Sequence, residues 1–259
     1  MTTQGLLGYS VFCGSVADCA QAMLEAASNG ARDSRVMACI NPHSFVVARG
    51  DPVFQTALQR SDWLVPDGSG IVLAAKILGV PLAGRVAGPD VFETVLRMQN
   101  EAGGSVFFLG SSEETLAKIS DRIGLEFPNV TLAGTFSPPF KSVFSDAENQ
   151  EMLRAINAAS PDILWVAMTA PKQEKWIAMH RDQLHVGTIG AIGAAYDFFA
   201  GNLQRSHPIL RDFYLEWLPR LIRQPRRLWR RTAISAPVFM FEVMRARLRK
   251  VLQEHEPKA

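Results

Sequence analysis

The stretch VFFLGSSEETLAKISDRIG, Val106–Gly124, decides the fold. Val106–Leu109 is an unbroken apolar run bounded by turn residues, which reads as a buried strand. Gly110-Ser111-Ser112 ends it, and a helix follows from Glu113 to about Gly124. Ser112 is a good N-cap, and Glu114 adds negative charge to the first turn. A strand feeding a helix through a three-residue turn is one unit of an α/β protein.

The same unit recurs on both sides. Upstream, strands are expected at Tyr9–Cys13, Val36–Ile40 and Trp63–Val65. Helices are expected over Val16–Ser28, much of Ser44–Arg60, Ile71–Leu78 and Asp90–Glu101. Downstream, Val130–Leu132, Ile163–Met168 and Val186–Ile189 read as strands, and Ala147–Ala159 and Gln173–Arg181 as helices. Such alternation predicts an α/β fold, a mostly parallel sheet with helices on both faces. Ligands of such sheets sit beyond the carboxyl ends of the strands. From Pro208 onward the pattern is helical only, so a boundary is placed near residue 200: a body over 1–200 and a basic helical appendage over 201–259. Val238–Leu252 is amphipathic, with Phe239, Phe241, Met244 and Leu248 set against Arg245, Arg247, Arg249 and Lys250. A helix of this kind can lie in a bilayer interface.

At 259 residues the chain is long enough for one large α/β domain or two small ones. Its net charge of +2 hides an asymmetry. Residues 201–259 carry 13 Lys and Arg against 5 Asp and Glu, whereas the first 200 carry 14 against 20. A basic tail on an acidic body points to a polyanion, an anionic membrane surface or a diphosphate ligand. Cys13, Cys19 and Cys39 lack metal-ligand spacing and read as buried thiols of a reducing compartment. MTTQGLLGYS has no basic segment before an apolar run, so no signal peptide is expected. No apolar run reaches about 18 residues, so no helix is expected to span a bilayer.

Several strand ends carry chemistry. Asp67, in ProAspGlySerGly at 66–70, is placed for a general base, although Asp-Gly is also a common turn pair. Asn41, in Asn41-Pro42-His43, suits either a helix cap or a sugar or base contact. Gly110, Ser111 and Ser112 open a helix whose N–H groups favour phosphate, without the spacing of a dinucleotide fingerprint. Gln173, in APKQEKW at 170–176, sits at a cleft edge and can bond a base or sugar, while Trp176 reads as core. Gly193 lets a ligand approach, and Asp197 is expected to pair with an arginine. The tail segment EWLPRLIRQPRRLWRR, Glu216–Arg231, contains no lysine. Arg220, Arg223 and Arg227 share a helical face, and arginine chosen over lysine favours planar, bidentate anion recognition.

NPHSF (41–45), PDGSG (66–70), GRVAGPDVFE (84–93), VFFLGSS (106–112), APKQEKW (170–176), AIGAAYDFFAGNLQRSHP (191–208) and LEWLPRLIRQPRRLWRR (215–231) together resemble the WecG/TagA/CpsF family of bacterial glycosyltransferases. The resemblance implies a Rossmann-like body with a C-terminal helical appendage. It further implies an inverting, metal-independent transferase that takes a sugar from a UDP-sugar to a polyprenyl-diphosphate-linked saccharide, in cell-surface or exopolysaccharide synthesis. Such an enzyme would work as a peripheral protein on the cytoplasmic face of the inner membrane, with no cofactor. It makes Asp67 the base and Arg85 an active-site arginine. Asn41, Gly110, Ser111, Ser112, Gln173, Gly193 and Asp197 are then expected around the donor, and Arg205, Arg220, Arg223 and Arg227 around the diphosphate and acceptor. The chain departs from the family pattern at Ile40, at Met168–Ala170 and at Ser206-His207. Two other readings are a nucleic-acid-binding protein with a basic arm and a non-catalytic nucleotide-sugar module. The acidic body and the cleft motifs argue against a nucleic-acid partner. A homo-oligomer is left open.

Overall fold

The computed structural model describes residues 2–203 and 230–255. Among the described residues eight strands are present, and from the second strand onward strands and helices follow the expected alternation. They are β1 Thr3–Leu6, β2 Tyr9–Phe12, α1 Val16–Ser28, β3 Arg35–Ile40, α2 Pro42–Arg49, α3 Pro52–Gln59, β4 Trp63–Pro66, α4 Ser69–Leu78, α5 Gly88–Ala102, β5 Ser105–Gly110, α6 Glu113–Glu126, β6 Thr131–Phe136, α7 Asp146–Ala159, β7 Ile163–Ala167, α8 Lys172–His180, β8 Thr188–Ala191 and α9 Ala195–Phe199. After residues outside the description, a π-helical turn at Arg230–Ser235 leads into α10, Ala236–His255.

Six strands form one sheet in the order β4-β3-β8-β7-β5-β6, and every pairing is parallel. The α/β fold expected from the alternation is therefore the fold observed. Apolar strand residues alternate between two cores, as the pleat requires. Val36, Ala38, Ile40, Leu64, Phe107, Leu109, Leu164 and Val166 meet α2, α3, α4, α7, α8 and α10 on one face. Met37, Trp63, Val65, Val106, Phe108, Ile163 and Trp165 meet α1, α5, α6 and α9 on the other. Strands buried on both sides read as continuous apolar runs, which is why Val106–Leu109 was so legible.

The helix leaving β3 (α2) and the helix leaving β7 (α8) lie on the first face. The helix leaving β8, the strand between them, lies on the second. Outgoing helices that part to opposite faces open a crevice at the carboxyl ends of these strands.

Three expectations needed correction. The helical stretch Ser44–Arg60 is two helices, because Gly50 caps the first and Asp51 caps the second: its carboxylate accepts from Phe54 N–H at 3.0 Å, ahead of Pro52 in the first turn. The last strand is Thr188–Ala191 rather than Val186–Ile189, because the carbonyls of Val186 and Gly187 already accept from Ser34 and Arg35 on their way into the sheet. The N-terminal hairpin β1–β2 was not foreseen. It pairs Leu6 with Tyr9 around a two-residue turn at Leu7-Gly8, both at positive φ.

The apolar side of α10 is also not one side. Phe239 and Val243 enter the first core, with Phe239 edge-on to Phe45 at 5.2 Å, while Phe241, Met244, Leu248 and Leu252 are exposed. Arg49 of α2 pairs with Glu242 at 2.9 Å, and Lys250 donates to the carbonyl of Leu78 at the end of α4. Helix α10 thus docks on α2 and α4. Among the described residues no helix is long and apolar enough to cross a membrane.

Candidate functional site

The carboxyl ends of β4, β3, β8, β7 and β5 stand side by side, and each delivers a polar group flagged by the sequence. With neighbouring strands about 4.8 Å apart, the row from Asp67 to Ser111 covers four steps, about 19 Å. It suits an extended ligand with several groups.

Asp67 follows β4, and its N–H donates to the carbonyl of Ile40 at 2.8 Å. That bond sets it beside Asn41. Gly70 tightens the same corner: a Cβ there would lie 2.4 Å from Cγ of Pro42, so only glycine lets the first turn of α4 press on the first turn of α2. Val86 N–H donates to the carbonyl of Pro66 at 2.9 Å and brings Arg85 to the Asp67 loop. Arg85 is largely buried and pairs with Asp90 of α5 at 3.5 Å.

Asn41 is the N-cap of α2, its Oδ1 accepting from the N–H groups of His43 and Ser44, both at 3.0 Å. What it can offer a ligand is its amide nitrogen. His43 Nδ1 lies 2.9 Å from Ser235 Oγ, so the turn before α10 meets the start of α2.

At the end of β7, Gln173 is 4% exposed and Glu174 5%. Met168 N–H donates to Gln173 Oε1 at 3.3 Å, and Gln173 Nε2 donates to Glu174 Oε1 at 2.9 Å. Because a backbone N–H can only donate, the Gln173 amide has one orientation. Gly193, at φ +51°, lies against this amide: a Cβ there would meet Gln173 Oε1 at 3.6 Å, an ordinary contact, so it is the backbone conformation that favours glycine. Burial lifts the Glu174 carboxyl to about 7, and among the described residues its Oε2 has no hydrogen-bond partner. The thiol of Cys39 is raised well above its ordinary value, first by burial and then by the negative charges of Asp67 and Glu174. Both carboxyls therefore act on one floor, under the ends of β3 and β8. Sequence reading did not single out Glu174. An acidic residue in a first helical turn is ordinary, and only burial sets this one apart.

At the end of β5, Gly110 has φ +108° and its Cβ would lie 2.4 Å from the carbonyl oxygen of Ala167, so no other residue fits. Ser111 N–H donates to that carbonyl at 3.2 Å, Ser111 O accepts from Ser137 Oγ at 2.8 Å, and Ser112 Oγ caps α6 by accepting from Thr115 N–H. Ser111 N–H and Ser112 Oγ are thus committed within the protein. Asp197 is half-buried on α9, and its carbonyl accepts from Leu203 N–H at 3.0 Å. Asn202 donates to Thr115 and accepts from Lys118, tying this end of the chain to α6. Arg205, Arg220, Arg223 and Arg227 lie outside the described residues. Among the described residues no three His, Cys, Asp or Glu side chains are grouped to hold a metal ion.

Comparison with known proteins matches residues 4–253 to the glycosyl transferase WecG/TagA/CpsF family. The N-acetylglucosaminyldiphosphoundecaprenol N-acetyl-beta-D-mannosaminyltransferase of Bacillus spizizenii is 31% identical over 79% of this chain and 77% of its own length. The protein of that name in Bacillus subtilis is 30% identical over 81% and 79%. Its Staphylococcus aureus counterpart is 26% identical over 85% and 84%.

Proposed function

The chain belongs to the glycosyl transferase WecG/TagA/CpsF family, and on that premise we propose that it moves an N-acetylhexosamine or related hexose from a UDP-sugar to a saccharide on a polyprenyl diphosphate. The relatives are named for transfer to N-acetylglucosaminyldiphosphoundecaprenol, which supports an acceptor of that class. The observation that carries the reading is the row of polar groups along the carboxyl edge, with Asp67 fixed beside Asn41 by its bond to Ile40.

The step is an in-line displacement. Asp67 takes the proton of the acceptor hydroxyl as that oxygen bonds to the anomeric carbon. The bond from the anomeric carbon to the β-phosphate oxygen breaks, its electron pair leaves on UDP, and the configuration inverts. Arg85 stabilises the charge growing on the diphosphate without a metal, and Arg205, Arg220, Arg223 and Arg227 are proposed to share that work. Gln173, Gly193 and Asp197 hold the donor, and the loop Gly110–Ser112 closes its far end. The enzyme works at an anionic membrane surface, on the cytoplasmic face, where a lipid-linked acceptor resides.

The test is transfer from UDP-N-acetylhexosamines to a short-chain lipid diphosphate. Asp67→Asn is expected to lower kcat by about 10²- to 10⁴-fold while leaving UDP affinity within about threefold by calorimetry. Full activity in that variant would remove Asp67 from the role of base.

A further inference from the structure

We propose that Glu174 is a ligand-binding residue of this cleft, its unpartnered Oε2 donating a hydrogen bond to a neutral carbonyl oxygen of the bound nucleotide sugar. This rests on the UDP-sugar reading above and adds to it a residue and the kind of group that residue takes.

Glu174 is almost fully buried, yet its Oε2 has no hydrogen-bond partner among the described residues. Buried polar atoms without a partner are uncommon, and each calls for a specific cause. Its position gives one. The other oxygen, Oε1, accepts from Gln173 Nε2, and the Gln173 amide lies against Gly193 at the end of the central strand β8. The carboxyl also acts electrostatically on Cys39, two residues before Asn41 on β3. The Glu174 carboxyl thus lies by the Gln173 amide and Gly193, close enough to β3 to act on Cys39.

The chemistry of the missing partner follows from protonation. With Oε1 accepting, a proton on the carboxyl sits on Oε2, so the group lacks an acceptor. A phosphate oxygen is a poor one here. Asp67 already places negative charge on this floor, and the described cations of α8 are directed elsewhere. Lys172 donates to the carbonyl of Lys141 and covers the ring of Phe144, and Lys175 pairs with Asp51 at 2.8 Å. A carbonyl accepts without adding charge. A UDP-N-acetylhexosamine carries two kinds, on the uracil ring and on the acetamido group.

Calorimetry on the full chain, with UDP and UDP-N-acetylglucosamine as probes at pH 6.0 and 8.5, tests this. Wild type should bind more weakly at pH 8.5, where Glu174 is ionised. Glu174→Gln keeps an acceptor for Gln173 and a donor for the ligand, so it should bind within about threefold of wild type at pH 6.0 and lose that part of the pH dependence. Glu174→Leu should weaken binding roughly three- to tenfold at pH 6.0, the range of one hydrogen bond. A loss seen with both probes assigns the carbonyl to uracil, and a loss confined to the sugar nucleotide assigns it to the acetamido group. Either supports the proposal. Unchanged affinity of a folded Glu174→Leu for both probes overturns it while the UDP-sugar reading stands. Should that variant fail to fold, parallel pH profiles of wild type and Glu174→Gln overturn it instead. Failure of wild type to bind either probe sinks the UDP-sugar reading, and this proposal with it.

Discussion

Glu174 bears on stability as well as on binding. Its carboxyl is raised from an ordinary 4.5 to about 7 by burial. Below about pH 4.5 the folded and unfolded chains both hold the proton, and the group does not oppose folding. As pH rises toward 7 the unfolded chain releases it and the folded chain does not, so stability falls, by about 3 kcal/mol once pH exceeds 7. Glu174→Gln removes the ionisation. It should be more stable than wild type at pH 8, with the gain shrinking toward zero near pH 4.5, as read by urea unfolding at both values. A gain independent of pH would remove the buried carboxyl as its cause. The rest of the site shows what sequence reveals at this scale. The positions of Asn41 and Asp67 at strand ends were legible because each directly follows an apolar run, and Gly193 comes two residues after one, whereas Gln173 lies in the first turn of the helix that follows β7. Glu174 was not legible, since a helix of pattern KQEKW gives no sign that its glutamate is turned inward.

Elements were legible in kind and less so in contact. Ser15 and Ser145 each form a capping box with the acidic residue three positions on, so α1 and α7 begin where serine says they should. The order β4-β3-β8-β7-β5-β6 was out of reach, because alternation fixes the neighbours of a strand in the chain and not in the sheet. Hairpin β1–β2 escaped notice because Leu7 occupies a left-handed conformation that glycine or asparagine would have advertised. In α10 the error lay in phase. Phe239 and Phe241 are two residues apart, about 200° around a helix, and cannot share a face. Phe239 is 1% exposed against α2, and Phe241 is 66% exposed. Phe239→Ala should therefore cost about 3–5 kcal/mol, and Phe241→Ala no more than about 0.5 kcal/mol, measured by denaturant unfolding. Equal effects would mean that α10 does not dock through Phe239.

At the scale of the whole molecule, charge and exposed apolar surface are gathered on the same part of the chain. Residues 201–259 hold the excess of cations, and the first 200 the excess of anions. On α10 the exposed residues Phe241, Met244, Leu248 and Leu252 follow one another at helical spacing, with exposed Arg245 and Arg249 beside them. The opposite side of the helix is fixed to the body by Phe239, Val243 and the Arg49–Glu242 pair. A helix locked on one side and apolar on the other can seat the body on a lipid surface without crossing it. Its first turn is linked through Ser235 to His43, at the rim where Asn41 and Asp67 stand, so a surface that takes this stripe also lies near the cleft. Deleting the appendage would not isolate this role, because Phe239 and Val243 belong to the core. Phe241→Ser, Met244→Ser and Leu248→Ser together change only the outer side. Full burial of such a side chain contributes about 1.5–3 kcal/mol, so even partial insertion of three should shift partitioning by about tenfold or more. The triple variant should melt close to wild type and bind UDP equally well. Its sedimentation with vesicles containing anionic lipid at low salt should fall by that factor. Attraction by the arginines, about 1 kcal/mol each near the surface, should remain and be removed by high salt. Unchanged sedimentation at low salt would show that the exposed stripe of α10 does not bind the protein to an anionic membrane.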